Sequence, residues 1–275
     1  MKARILNSTL FLLAAYFIVH FINVLSQYII LSFLSVEKLQ LTFFYNTYLS
    51  PENHWWSRSK VFLVFGIGTF FVFLLLFLAI MLIVKLSRKK YRLQVFYNWL
   101  IIVAAAFVIS SFFSATFFKE LSPIFTVLSW LYFKNGGEGM YLVSIVMLPL
   151  IPFVAYYTNR TFLKMSNSTQ WLRTKTKRFQ FYVMTAFVPF IILTVVLSVF
   201  VSLIYNYSLR HALSSEGLKI LVIAAILLFG AFFNFNKKYV SIQKSNTLHH
   251  LDLSLTIFII VSIISSFVIL WFNLV

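Results

Sequence analysis

Long apolar runs alternate with short polar segments along the chain. The clearest run, residues 61–84, contains no charged side chain and nothing more polar than Thr69. At 1.5 Å per residue it would form about 36 Å of helix, enough to cross a hydrocarbon core of about 30 Å with some tilt. Five Lys and Arg residues and no acid follow within 85–92. Because cytoplasmic loops retain Lys and Arg, this pattern predicts a transmembrane helix whose basic end faces the cytoplasm.

Comparable apolar runs recur along the chain and define the predicted architecture. Runs of 18 or more residues suit transmembrane helices, whereas a membrane barrel would show alternating segments of about ten residues. The sequence therefore predicts an all-α, polytopic integral membrane bundle of about seven transmembrane helices, with the N-terminus inside and the C-terminus outside. We expect one domain over 1–275, with spans at approximately 8–34, 61–84, 95–118, 140–157, 180–205, 218–235 and 251–274.

Two segments depart from a simple crossing helix. Residues 123–134 begin with Pro123, carry apolar residues at helical spacing and end before Gly136. About twelve residues cannot cross a bilayer, so this segment is predicted to be one short interfacial or re-entrant helix. The fourth span contains Pro149 and Pro152, and proline within a transmembrane helix predicts a kink that neighbouring helices accommodate.

The charges support one orientation of this bundle. The chain has 23 Lys and Arg against 6 Asp and Glu, and sixteen of these cations with one acid fall on the segments predicted to be cytoplasmic. Such basic loops are typical of topogenic charge beside anionic lipid rather than of nucleic-acid binding. The richness in Phe, Ile, Leu, Tyr, Asn and Lys adds the expectation of a bacterial inner membrane. The predicted contacts with anionic lipid head groups are Lys85, Arg88, Lys89, Lys90, Arg92, Arg173, Lys175, Lys177 and Arg178.

One ionisable residue lies well inside a predicted span. His20 shares a helical face with Asn23 and Gln27, which follow at i+3 and i+7, so the three are a candidate intramembrane polar contact. A proton or ligand contact is one interpretation, because an ionisable group is costly to keep in a bilayer. Interhelical hydrogen bonding, which contributes roughly 0.6 kcal/mol per pair, is the structural interpretation that we favour.

The sequence predicts no catalytic residue, metal or cofactor. The first-helix histidine resembles the layout of site-2 intramembrane zinc proteases, whose H-E-x-x-H motif supplies two zinc ligands and a glutamate that activates water. Residues 20–24 read HFINV instead, so the glutamate and the second histidine are absent and such a site would be inactive. The chain has no cysteine, which excludes thiolate metal sites and disulfides.

Three hypotheses for function remain. The leading one is a non-enzymatic multi-pass membrane protein that acts as an accessory, anchoring or assembly subunit, with other membrane proteins as partners. The first alternative is a transporter or channel for a lipidic or apolar solute. Ion coupling is disfavoured because the predicted spans contain no carboxylate, and Glu216 is assigned to a short outer loop at 206–217. The second alternative is a membrane-embedded enzyme or a degenerate relative of intramembrane proteases.

Overall fold

The fold comes from a computed structural model that describes residues 2–41, 46–47, 56–85, 91–118, 123–131, 138–164, 174–204 and 216–235. These residues are almost entirely helical. Within them, the strands β1 (Gln40–Leu41) and β2 (Asn46–Thr47) form one short antiparallel pair. The helices are α1 (Lys2–Phe33), α2 (Arg58–Val61), α3 (Ile67–Lys85), α4 (Tyr91–Phe117), α5 (Pro123–Leu131), α6 (Glu138–Met147), α7 (Leu150–Lys164), α8 (Lys175–Tyr182), α9 (Val188–Ile204) and α10 (Leu218–Phe235).

Five helical stretches of the described chain are long and apolar enough to cross a membrane. They confirm the prediction of a helical protein built from membrane-compatible helices. The count of seven, the orientation of the termini and the division into one domain stay predictions, and the predicted span at 251–274 lies outside the described residues. A further apolar helix, Leu218–Phe233, is shorter. The five stretches are Arg4–Phe33, Arg58–Lys85, Leu93–Phe117, Tyr141–Thr158 and Lys175–Ser198.

α1 and α4 form the centre of the bundle. The apolar window of α4 is 78% buried and that of α1 is 72% buried, whereas the window in Arg58–Lys85 is only 22% buried. α4 carries three consecutive alanines, Ala104, Ala105 and Ala106, and each is at most 1% exposed. Small side chains let membrane helices approach closely, which explains how α4 contacts α1, α3, α7 and α10.

α5 lies where the short helix near 123–134 was predicted. Its first residue is Pro123, whose fixed φ suits the first position of a helix. The nine residues of α5 rise only about 13 Å, less than half of a hydrocarbon core. Ile124 packs against Ala115 near the end of α4. The choice between an interfacial and a re-entrant helix stays a prediction.

The predicted fourth span is interrupted at Leu148 and Pro149, which separate α6 from α7. Proline has no N–H and disfavours helical geometry in the residue before it. The tighter i to i−3 bonds of a turn appear there instead, from Leu148 N–H to Ile145 O at 3.2 Å and from Ile151 N–H to Leu148 O at 3.1 Å. The predicted kink is therefore observed as a short interruption at Pro149.

Within the described residues, π-helical turns interrupt two of the long apolar stretches. One, Phe62–Gly66, joins α2 to α3, and the other, Val183–Phe187, joins α8 to α9. A π-helical turn shifts the backbone hydrogen-bond ladder by one residue and re-aims the side chains that follow it. The apolar pattern of the sequence contains no signal for either turn.

Gly68 is the point at which α3 comes closest to α1. A Cβ atom at this position would lie 2.8 Å from the backbone oxygen of Asn23 and 2.5 Å from its side-chain oxygen. Because the backbone oxygen cannot move aside, only glycine fits. α3 and α1 therefore approach each other closely at Gly68.

We predict that Gly68→Ala lowers the stability of the folded protein by about 1–3 kcal/mol, the usual effect of overpacking a tight interior. Gly66→Ala is the matched control, because its Cβ would meet only the Phe62 side chain at 3.4 Å and Val127 at 3.6 Å. Thermal unfolding in detergent micelles compares the two variants. Equal melting temperatures for Gly68→Ala and Gly66→Ala would contradict the proposed close approach.

Candidate functional site

A carboxylate is buried inside the helical bundle. Glu216 lies in a π-helical turn that leads into α10, and only 3% of its surface is exposed. One carboxylate oxygen accepts a hydrogen bond from Lys219 Nζ at 2.6 Å, and the other accepts one from the hydroxyl of Tyr16 in α1. The assignment of Glu216 to an outer loop is therefore wrong.

The partners of Glu216 give its depth in the bundle. Tyr16 lies near the middle of the apolar stretch Arg4–Phe33, about 18 Å along α1 from Arg4. Phe107 lies near the middle of Leu93–Phe117 and contacts the Tyr16 ring, with the ring centroids 5.7 Å apart. The Glu216 carboxylate is thus held at the mid-depth of the two most buried helices.

Lys219 is the cation of the ion pair. Residues three apart share a helix face, so a lysine in the first turn of α10 reaches back to Glu216. The Lys219 ammonium also lies over the face of the Phe107 ring, 4.1 Å from its centroid. A desolvated cation–π contact of this kind contributes about 2 kcal/mol. The ammonium therefore contacts a carboxylate and an aromatic face at once.

His20 belongs to the same cluster. Its side chain is 1% exposed, and its ring stacks on the Tyr16 ring at 5.9 Å with an interplanar angle of 6°. It also meets the edge of Phe107, with ring centroids 5.8 Å apart and planes at 70°. We name Tyr16, His20, Phe107, Glu216 and Lys219 the mid-depth cluster.

The other members of the predicted polar stripe are placed differently. Asn23 is half-buried and lies against Gly68 in α3. Gln27 is half-buried farther along α1. The structure therefore brings His20 to the mid-depth cluster and assigns Asn23 to the contact between α1 and α3. The role of the three residues as one intramembrane contact stays a prediction.

A second polar layer lies nearer the amino-terminal ends of α1 and α4. The Trp99 indole N–H donates to Ser8 Oγ at 3.0 Å, and Ser8 in turn donates to the backbone oxygen of Thr185 at 2.6 Å. From this layer to the mid-depth cluster, both α1 and α4 advance by about 12 Å. The two helices therefore run in the same direction. The layer holds the π-helical turn Val183–Phe187 against α1, which is a structural role.

The described part of the chain also places four of the cations predicted to contact lipid. Lys85 is exposed at the end of α3, and Lys175 and Lys177 are exposed in α8, whereas Arg178 is only 6% exposed. The backbone of Arg92 lies in α4, and the structure describes no side-chain position for this residue. The remaining predicted cations lie outside the described residues: Arg88, Lys89, Lys90 and Arg173.

Sequence reasoning missed Glu216 because its position between two apolar runs is typical of a loop. One signal could have found it: Glu216 and Lys219 are spaced i, i+3 directly before an apolar helix, and such spacing predicts an intrahelical ion pair. Neither Tyr16 nor Phe107 could have been identified, since aromatic residues occur throughout the chain. Their contacts with Glu216 and Lys219 can be identified only from the three-dimensional structure.

The fold and the site define a helical protein with membrane-compatible helices and a buried ion pair at its centre. No family model, curated protein or solved structure matches the chain. Its function is therefore inferred from the chemistry of the mid-depth cluster.

We predict that Lys219→Ala destabilises the protein by about 3–5 kcal/mol, because it leaves a buried carboxylate without its cation. The double variant Glu216→Gln/Lys219→Met recovers most of this loss, since it replaces both charges with side chains of similar volume. Thermal unfolding in detergent measures both. Lys177→Ala, at an exposed cation of α8, is the control and changes stability by no more than about 0.5 kcal/mol. A double variant as unstable as Lys219→Ala would contradict the pairing.

Proposed function

We propose that this protein is a proton-coupled transporter of a bacterial inner membrane, with Glu216 as its internal carboxylate. The observation that carries the proposal is the Glu216–Lys219 ion pair at the mid-depth of α1 and α4. Ionisable side chains at membrane depth are rare, and they mark substrate pathways and proton relays. The objection that no carboxylate lies inside the bundle no longer applies.

Stability alone does not account for the pair. Removing each charge from water carries a penalty of several kcal/mol, and apolar side chains of similar volume are often equally stable or more so. Lys219 is the one charged residue of Leu218–Phe235, which is otherwise strongly apolar. The π-helical turn at Glu216 adds support, because such turns occur frequently at functional sites.

The pair provides a simple means of coupling. The Glu216 carboxylate can bind a proton or pair with the Lys219 ammonium. A protonated carboxyl group carries no charge, so proton binding weakens the ion pair with the lysine. Tyr16 and His20 are the titratable side chains that face the pair from α1, and Phe107 faces it from α4. Proton binding therefore changes the charge balance at mid-depth and favours a different arrangement of the helices.

The first test uses inverted membrane vesicles that are energised to hold a proton gradient and report it by acridine dye fluorescence. Addition of a transported solute releases protons and restores fluorescence. We expect at least one class in a panel of organic cations, amino acids and apolar solutes to do so, and Glu216→Gln to reduce the response about tenfold or more. Glu37→Gln, at an exposed acid, is the control and keeps the response. No response to any solute contradicts proton-coupled transport.

Seven spans with an internal N-terminus and an external C-terminus are part of the same proposal. The excess of basic residues on the predicted cytoplasmic segments supports it. The parallel directions of α1 and α4 also support it, because the first and third spans of such a chain must cross the same way.

The orientation is tested with single cysteines, because the chain has none of its own. Ser59→Cys and Lys85→Cys place exposed thiols at opposite ends of the stretch Arg58–Lys85. In intact cells we expect a membrane-impermeant maleimide to label Ser59→Cys, and to label Lys85→Cys only after permeabilisation. An alkaline phosphatase fused after Val275 is expected to be active, because this enzyme is active only when it lies outside the cytoplasm. The reverse labelling pattern would overturn the orientation.

The accessory-subunit hypothesis is a second candidate, and one feature of α3 favours it. Phe70, Phe73 and Phe77 lie on one side of α3 and are 47%, 52% and 56% exposed. Aromatic side chains are enriched at protein interfaces, so this row suits a partner helix as well as lipid.

We expect the protein purified in mild detergent to retain a partner protein in a fixed ratio. The double variant Phe73→Ala/Phe77→Ala is expected to lose this partner. Phe232→Ala, at an exposed phenylalanine of α10, is the control; a protein purified alone contradicts the hypothesis.

A further inference from the structure

We infer that the mid-depth cluster is a binding site for an organic ammonium ion and that Lys219 is its built-in occupant. The inference rests on the proposed role of Glu216 as the internal carboxylate, and it adds the chemical class of the solute. The contacts of the Lys219 ammonium carry it, because they are those by which proteins recognise organic cations.

The first of these contacts is the carboxylate. Glu216 holds the ammonium at 2.6 Å, and Tyr16 donates a hydrogen bond to its other oxygen. A charge-assisted bond of this kind is about twice as strong as a neutral one. The Tyr16 hydroxyl holds the carboxylate in place, so that its other oxygen faces the Lys219 ammonium.

The second contact is aromatic. The Phe107 ring presents its face to the ammonium at 4.1 Å, and the rings of Tyr16 and His20 pack against Phe107 at centroid distances of 5.7 and 5.8 Å. Aromatic faces attract ammonium groups and are used in sites for quaternary and alkylated amines. The same rings form an apolar surface for the hydrocarbon part of such a solute.

The chemistry of the cluster favours an ammonium over a metal ion. Calcium takes six to eight oxygen ligands, and magnesium requires nearly ideal octahedral geometry. Within the described chain, no three His, Cys, Asp or Glu side chains come together in a group that could hold a metal. A single carboxylate beside aromatic rings matches a singly charged organic cation.

The exchange that follows is a competition for one carboxylate. An incoming ammonium takes the place of Lys219 on Glu216 as Lys219 releases its proton, so that one positive charge faces the carboxylate throughout. A proton that then binds the carboxylate releases the ammonium and passes to Lys219, which restores the ion pair. No covalent bond to carbon forms or breaks, and one proton is exchanged for one ammonium. One site therefore binds either cation and thereby couples their movements.

Chemical rescue tests the inference at equilibrium, without a transport assay. Lys219→Ala removes the built-in ammonium, and ethylammonium or n-propylammonium is then added to the purified full-length variant in detergent. We expect stabilisation that depends on amine concentration, with the melting temperature rising by roughly 3 °C for each tenfold increase in concentration above the Kd of the amine. Propan-1-ol and sodium chloride at equal concentration give no such rise.

Three further variants make the result decisive. Glu216→Gln/Lys219→Ala lacks the carboxylate, and Lys219→Met fills the space with an apolar side chain, so neither is expected to respond to amines. Lys219→Gln has a shorter side chain that still donates to Glu216. The melting temperature of Lys219→Gln is measured with methylammonium. This second variant keeps the test decisive if Lys219→Ala does not fold.

Each outcome decides one proposal. No amine response from Lys219→Ala and Lys219→Gln, or an equal response from the variant without the carboxylate, overturns the ammonium site. Equal stabilisation by sodium chloride and by the amines also overturns the ammonium site, because ionic strength alone would then account for the effect. Amine binding without proton exchange in the vesicles supports the site and refutes transport. Proton exchange without amine binding supports transport and refutes the ammonium site.

Discussion

A carboxylate among apolar helices is stable only while hydrogen-bond donors and a cation face it. Glu216 meets this condition through Tyr16 on α1 and Lys219 on its own helix, while Phe107 on α4 supports the lysine. Three helices that are distant in sequence must therefore stay in register. The start of α10 is held against α1 and α4 by this set of contacts.

The rest of the bundle supports that register. Ser8 links Trp99 of α4 to the backbone of Thr185, about 12 Å from the mid-depth cluster toward the amino ends of α1 and α4. Farther along α1, at Asn23, Gly68 allows α3 to approach so closely that a methyl group would not fit. The central helices are thus fixed by a few directional contacts. The exposed side of α3 is apolar and has no comparable polar contacts among the described residues, which suits a surface that faces lipid or a partner.

The amount that the sequence could predict differs between the fold and the site. Apolar runs give the positions of membrane helices because they report an average environment, and Pro123 and Pro149 mark a start and a break because proline restricts the backbone. The cluster could be predicted only in part, through His20. Glu216 lies between apolar runs, and a burial that depends on Tyr16 cannot be recognised without the fold. The π-helical turns have no compositional signal at all.

The position of Glu216 late in the chain has a consequence for biosynthesis. Chains are made from the amino end, so in the proposed membrane arrangement α1 and α4 are inserted before Glu216 and Lys219 leave the ribosome. The hydroxyl of Tyr16 and the ring of Phe107 can then be in the bilayer when the two charges arrive. In this arrangement the ion pair is inserted next to its binding surface, and neither charge has to cross bare lipid alone. The order of the helices along the chain is also the order in which this site can be assembled.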